Sequence, residues 1–409
     1  MKALFKYIGP GFLLAGAAIG VSHLVQATRA GADYGVVLIF AILIACLTKY
    51  PFLEFGSRYA SSTGKNLIEG YRTLGRSYVV IFALITIFTM FIIQAAVTIV
   101  SAGLAEYLFG FGWSNFTWCL VLLIFCILIL LIGKYKKLDL LMKIVISLLT
   151  ISTLFSVIIA GFQVDFSTIS FNKSSELWTL SGIGFIIALM GWMPIPIDAA
   201  VWHSLWAREK TLQTKYQPNS REANLDFNIG YLSATFLGVL FFLMGLLLMN
   251  GSDIKFASAS VTFSGQLIEM YTQTLGEWSR ILIAFIAFVT MFSTTLTVTD
   301  AFPRVMSKLV QNEKQTQKKF NAYHVFIIII PMIALIILYF LNSSFTVLVD
   351  FAAGLSFLAS PVLAWFNLKL IIQNKNLIEI SPNYILFSRI CLFFLVCFGL
   401  GYLVFKFLS

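Results

Sequence analysis

The chain has 409 residues, 59% of them hydrophobic and only 11% charged, with a formal net charge of +10. Soluble domains carry roughly 25% charged residues, and a water-exposed surface this apolar would aggregate, so composition excludes a water-soluble protein and points to lipid as the solvent. Cys46, Cys119, Cys126, Cys391 and Cys397 all lie in apolar runs with no His or Cys at metal-ligand spacing, so they read as packing residues, with no disulfide framework or redox motif.

The opening stretch, MKALFKYIGPGFLLAGAAIG, begins like a signal peptide. It lacks a small-residue cleavage site followed by a polar chain, so it reads as a first membrane segment. Crossing the hydrocarbon takes about 20 apolar residues. Runs of that kind fall near 8–31, 33–56, 78–108, 115–133, 140–162, 181–207, 227–250, 278–303, 323–342, 345–372 and 384–408, which predicts eleven spans.

Lys and Arg set the orientation. Arg58, Lys65, Arg72 and Arg76 follow the second span, Lys134, Lys136 and Lys137 the fourth, and Arg208, Lys210, Lys215 and Arg221 the sixth. Arg304, Lys308, Lys314, Lys318 and Lys319 follow the eighth, and Lys2 and Lys6 join the same side. The opposite turns, FGFGWSN and LNSS among them, are nearly bare. The expected topology has the N-terminus in the cytoplasm and the C-terminus outside, in a cell inner (plasma) membrane. The basic charge is then a topology signal, and nucleic-acid binding is rejected. The longest polar stretch, REKTLQTKYQPNSREANLD, is a 19-residue loop, and no nucleotide-binding pattern occurs. Energy must come from an ion gradient, or flow must be downhill.

The first and sixth spans carry features that a plain structural helix would not. In the first, GVSH places Gly20, Ser22 and His23 at mid-membrane depth. In the sixth, Pro194 and Pro196 stand two apart and flank Asp198. Proline removes an amide donor and clashes with the preceding turn, so unwinding is expected near Met193–Ile197. Unwound backbone at this depth must face protein or a cavity, and paired discontinuous helices point to a transporter's central site. The two spans lie five apart, as inverted repeats at about 8–162 and 181–372 would require, with 384–408 as an extra helix.

A carboxylate at Asp198 costs a few kcal/mol in the membrane unless it faces a cavity or a partner; an interfacial position is the alternative. His23 is either a ligand or a hydrogen-bonding residue without substrate contact. His203 is either a proton relay or an interface-facing side chain. Arg29 reads as an interfacial charge, and Lys49 and Glu54 as snorkelling near the cytoplasmic end of span two. Ser293, Thr294, Thr295, Thr297 and Thr299 in span eight read as hydroxyls that pack helices closely.

GPGF at 9–12, AGADYG at 30–35, TGKNLIEG at 63–70, HS at 203–204 and STTLTVT at 293–299 together resemble the Nramp family of proton-coupled divalent-metal transporters. The resemblance covers nearly the whole chain. It implies the leucine-transporter fold: an all-α integral membrane protein of eleven transmembrane helices, in a 5+5 inverted repeat plus one helix, with no cofactor. The departures bear on function. The family's first-helix Asp-Pro-Gly-Asn falls on Gly20, Val21, Ser22 and His23, so the Asp is gone. Its sixth-helix Met-Pro-His falls on Pro196, Ile197 and Asp198, so the thioether is absent, and only an insertion would let Met193–Pro194 restore the Met-Pro pair. Its third-helix proton-path acids fall on Gln94 and Val97.

Thioether and imidazole favour late transition metals, whereas carboxylate, carbonyl and water favour magnesium or calcium. The substrate expected is a small inorganic ion, a metal cation first, divalent and hydrated, with uniport as well as proton coupling open. For a dication, the Gly20 carbonyl, Ser22 and Asp198 form the expected ligands, with Pro196 at the break and His23 beside them; Asp198 and His23 are the candidate metal ligands. The alternatives are a small anion such as bicarbonate on the same fold, or a non-transporting membrane sensor or scaffold. No catalytic constellation argues for an enzyme.

Overall fold

A computed structural model describes residues 7–132, 135–165, 169, 177–250, 255–310, 322–340 and 344–408. Lys2, Lys6, Lys134, Lys314, Lys318 and Lys319, which carry part of the topology argument, lie outside the described residues, as do the side chains of Lys136 and Lys137.

The described chain is helical. The helices are α1 Pro10–Ala18, a π-helical turn Ser22–Ala27 that runs into α2 Thr28–Tyr34, α3 Leu38–Thr63, α4 Leu67–Leu74, α5 Arg76–Phe109 and α6 Asn115–Ile132. They continue as α7 Tyr135–Gln163, α8 Leu180–Trp192, α9 Ala199–Thr214, α10 Ser220–Met249, α11 Ser260–Leu275, α12 Arg280–Val310, α13 Ala322–Phe340, α14 Phe345–Gln373 and α15 Pro382–Leu408. Lipid offers the backbone no hydrogen bonds, so helices that satisfy their own amides are what such a sequence can form. Nine of them are long and apolar enough to cross a bilayer, and α1 with Ser22–Tyr34 makes a tenth, bent by 44°. The expected sixth span is divided into α8 and α9, of 13 and 16 residues, so the count of eleven depends on taking these two as one crossing. The outer surface is covered by side chains such as Phe40, Phe88, Phe125, Ile281 and Phe393, all exposed, as lipid contact requires.

α12 is the most enclosed of the long helices. It packs along α5, while α8 runs against α14, α9 against α3, and α10 against both α1 and α2. Small residues allow the closest approach: a Cβ on Gly11 would run into the Asp226 backbone carbonyl, and one on Gly230 into the Gly11 carbonyl. Local signals set several helix starts. Asn66 and Glu69 form a reciprocal capping box on α4, and Asn219 and Glu222 form one on α10. Ser204 adds a tertiary cap, its hydroxyl accepting the Leu67 amide at 3.0 Å.

Candidate functional site

The two interruptions lie side by side in the bundle. The first follows α1: Ile19 leaves helical geometry (φ −75, ψ 88), and the chain re-enters a helix at Val21. Ser22 and His23 therefore sit in a widened helical turn, and the unwound part is confined to residues 19 and 20. Thr294 of α12 secures this break, its hydroxyl lying 3.1 Å from the Ile19 carbonyl and 3.2 Å from that of Gly16. Gly20 is the residue that tolerates such closeness, since a Cβ there would lie 2.6 Å from Thr294 Oγ1. The second interruption covers Met193 to Asp198, where the proline pair predicted unwinding.

Between them lies a cavity of about 30 Å³, lined by Ser22, Trp192, Pro194, Pro196, Trp202 and Thr294 together with apolar residues of α1, α5 and α12. That is room for a guest the size of a water molecule. Its walls are held from outside: Trp192 Nε1 donates to Ser356 Oγ at 3.0 Å, and the Trp202 ring meets Phe302 edge-on with centroids 5.1 Å apart.

The expected site residues separate in this geometry. Ser22 and Pro196 line the cavity. Gly20 shapes the break, but its carbonyl already accepts the amides of His23 (3.1 Å) and Leu24 (2.9 Å). His23 stands behind Ser22, with Nε2 2.8 Å from the Ala234 carbonyl and Nδ1 2.7 Å from Ser22 Oγ. A carbonyl only accepts, so Nε2 carries a proton. The single Ser22 hydroxyl proton then stands between two acceptors, His23 Nδ1 and the Ala18 carbonyl at 2.8 Å. Both imidazole nitrogens are thereby engaged, and His23 acts on the cavity through Ser22.

Asp198 is buried but not part of the cavity lining; it lies within electrostatic reach of Lys49 and Tyr71. Its Oδ1 has no hydrogen-bond partner among the described residues. Val97 lines the cavity, whereas Gln94 is buried in α5 with Oε1 unpartnered among the described residues. No cluster of three or more His, Cys, Asp or Glu side chains suited to a metal occurs among the described residues.

His203 lies about one turn into α9, as its fifth residue. It is fully buried, its Nε2 is 3.8 Å from Asp226 Oδ2, and its ring packs edge-on to Phe227. Asp226 accepts the Gly9 and Gly11 amides and so closes the N-terminal end of α1 against α10. At the opposite end, Arg29 pairs with Asp350 of α14 through two bonds of 2.8 and 3.2 Å, and Gln26 donates to the same carboxylate. Arg29 thus has a specific partner, beyond the interfacial role expected of it.

Lys49 and Glu54 overturn the snorkelling expectation, being 0% and 1% exposed. Lys49 donates to the Gly191 and Ile195 carbonyls, while Glu54 takes Arg58 Nε at 2.8 Å. The reading set span two too short. The helix continues to Thr63, which makes Lys49 the twelfth of 26 residues, in the middle of the helix. A lysine in the middle of a long apolar helix was the available signal.

A family model described as natural resistance-associated macrophage protein-like matches residues 11–405. An uncharacterized protein of Pasteurella multocida is 35% identical over 403 residues, covering 97% of this chain and 91% of that protein. The divalent metal cation transporter MntH of Staphylococcus saprophyticus is 24% identical over 265 residues, which are 62% of this chain and 58% of MntH. Among solved structures, a mutant of the Eremococcus coleocola manganese transporter aligns with a TM-score of 0.75 at 17% identity, covering 98% of this chain and 86% of that one. MhsT in complex with L-phenylalanine aligns with a TM-score of 0.64 at 17% identity, covering 96% and 97%. At such identities the structural likeness establishes the fold, which is of leucine-transporter type. With that fold and a family match extending over nearly its whole length, the chain belongs to the Nramp family.

Proposed function

We propose that this protein is a secondary transporter, not an enzyme, that carries a small inorganic ion by alternating access about α1 and the α8–α9 break. The ion proposed is a metal cation, divalent and hydrated. The observation that carries this reading is the cavity joining the two breaks, whose volume of about 30 Å³ suits an ion or a water and no organic solute. Family membership and the metal named for the MntH and manganese-transporter relatives support a metal cargo.

In this reading Ser22 meets the ion with a hydroxyl oxygen that His23 holds, and the Pro194 carbonyl, 3.5 Å from Ser22 Oγ, adds a second neutral oxygen. Gly20 and Pro196 hold the backbone open, and Asp198 supplies negative potential from behind the wall. Neutral oxygens replace few of the waters a dication carries, so the ion would keep several of them, and the cavity of about 30 Å³ would have to widen to admit it. His203, beside Asp226, is the proposed proton relay if transport is coupled. The chain halves at about 8–162 and 181–372 act as inverted repeats, and the N-terminus faces the cytoplasm of a cell whose inner membrane holds the protein.

A second reading, a small anion such as bicarbonate, is favoured by one observation: no carboxylate lines the cavity among the described residues, and the buried Lys49 lies within electrostatic reach of Asp198 behind its wall. Flux into proteoliposomes separates the readings. Manganese, magnesium, sodium and bicarbonate are compared with and without a pH gradient, in the parent, Ser22→Ala and Asp198→Ala. Metal flux that Ser22→Ala abolishes supports the first reading, and bicarbonate flux without metal flux establishes the second. No flux of any ion would leave a membrane sensor or scaffold.

A further inference from the structure

Lys49 takes no part in the metal-cation reading, yet it is the most deeply buried charge at the second break. Its Nζ lies 3.1 Å from the Gly191 carbonyl and 2.9 Å from the Ile195 carbonyl. Both carbonyls have lost their helical partners. Gly191 would accept the Ile195 amide in a continuous helix, but α8 stops at Trp192. Ile195 would accept the Ala199 amide, which instead donates to Pro196. Orphaned carbonyls in a water-poor interior need a donor or a cation. Asp198, with a buried unpartnered oxygen, lies within electrostatic reach of the same ammonium.

Carbonyl oxygens freed by a broken membrane helix, here two, with a buried carboxylate near enough to act on the charge they hold, are the setting in which a transporter's broken helix coordinates a small monovalent cation. We propose that Lys49 is a tethered cation filling a cation site at the α8–α9 break, so that this protein holds its broken helix without a bound alkali ion. The side chain supplies the charge that offsets Asp198 and the donors that the two carbonyls lack. Being covalently attached, it is present in every state of the transport cycle and costs no cation from solution. The inference does not depend on the cargo, and thermal unfolding reads it without transport.

Parent, Lys49→Ala and Lys49→Ala/Asp198→Asn proteins are purified in detergent, and unfolding midpoints are compared in choline, sodium, potassium and ammonium chloride at equal ionic strength. The parent midpoint is expected to be the same in all four salts. Lys49→Ala is expected to melt several degrees lower in choline and to recover, saturably, with sodium or ammonium. The added Asp198→Asn is expected to abolish that recovery. A saturable sodium response of the parent that survives Ser22→Ala overturns the proposal, because the site would then be open without loss of Lys49. So does a Lys49→Ala protein that melts like the parent in choline, that no cation restores, or that cannot be recovered in any of these salts.

Discussion

Asp226 of α10 clasps Gly11 of α1: the Gly11 amide donates to Oδ2 at 2.7 Å while the Gly9 amide donates to Oδ1 at 2.9 Å. The first amides of a helix have no partner within it, and Pro10, the residue between the two, has no amide to satisfy. One buried carboxylate, contributed from more than two hundred residues away, therefore closes the start of α1. Asp226→Ala strands two donors, at a cost on the order of 2 kcal/mol. Thermal unfolding in detergent should show this loss, and hydrogen exchange should rise over residues 9–16. Asp226→Asn keeps an acceptor oxygen and should lose about half as much. Unchanged exchange in the alanine variant would contradict this role.

Ser22 and His23 should behave as one unit. If His23 serves the cavity only by orienting the Ser22 hydroxyl, His23→Gln weakens ion binding in the parent but adds nothing once Ser22→Ala is present. Each single change is expected to weaken cargo affinity about tenfold, or ~1.4 kcal/mol, with the double variant close to Ser22→Ala alone. Concentration dependence of flux measures the three values. An additive double variant would mean that His23 reaches the ion on its own.

The Arg29–Asp350 pair ties α2 to α14 with two hydrogen bonds to one carboxylate, and its side chains are 13% and 30% exposed. Bidentate geometry raises such a pair above an ordinary surface bridge. A double-mutant cycle on Arg29→Ala and Asp350→Ala should return a coupling of about 1 kcal/mol in unfolding free energy. Each single change should also speed exchange between the two ends of the cycle, read as a higher maximal flux. A coupling indistinguishable from zero would make the pair incidental.

Thr294 links the eighth predicted span to the first break. Thr294→Val keeps the shape and removes the bonds to the Gly16 and Ile19 carbonyls. The expected cost is about 1 kcal/mol of stability, with flux reduced because the break is less firmly placed. Thr294→Ser should retain both. A valine variant with parental stability and flux would remove Thr294 from the site.

Several of these parts were readable before any coordinates. The Pro194–Pro196 spacing predicted the Met193–Ile197 unwinding because proline's missing amide acts on its own helix. GVSH marked the neighbourhood of the first break, where Ile19 and Gly20 leave the helix and it resumes at Val21. The hydroxyl run of α12 pointed to close packing, and Thr295 indeed meets Ser101 at 2.7 Å.

Lys49 was misplaced for a physical reason. Hydropathy locates the hydrocarbon boundary, whereas α3 continues past it into Arg58 and Thr63, so its midpoint lies farther along the chain than the apolar run suggests. Side-chain direction was hidden as well. Asp198 lies beside cavity residues in sequence, yet it stays out of the cavity lining, and His23 spends both nitrogens on Ala234 and Ser22.

Membrane residence, helical class, family and the location of both breaks thus follow from the order of residues, because each depends on interactions within about one helical turn or on average apolarity. The partners of Asp226, Arg29, Thr294 and Lys49 do not. Each pairs across 142 to 321 residues, and such pairings exist only once the helices have packed and buried groups must find whatever donor or acceptor the neighbouring helix presents.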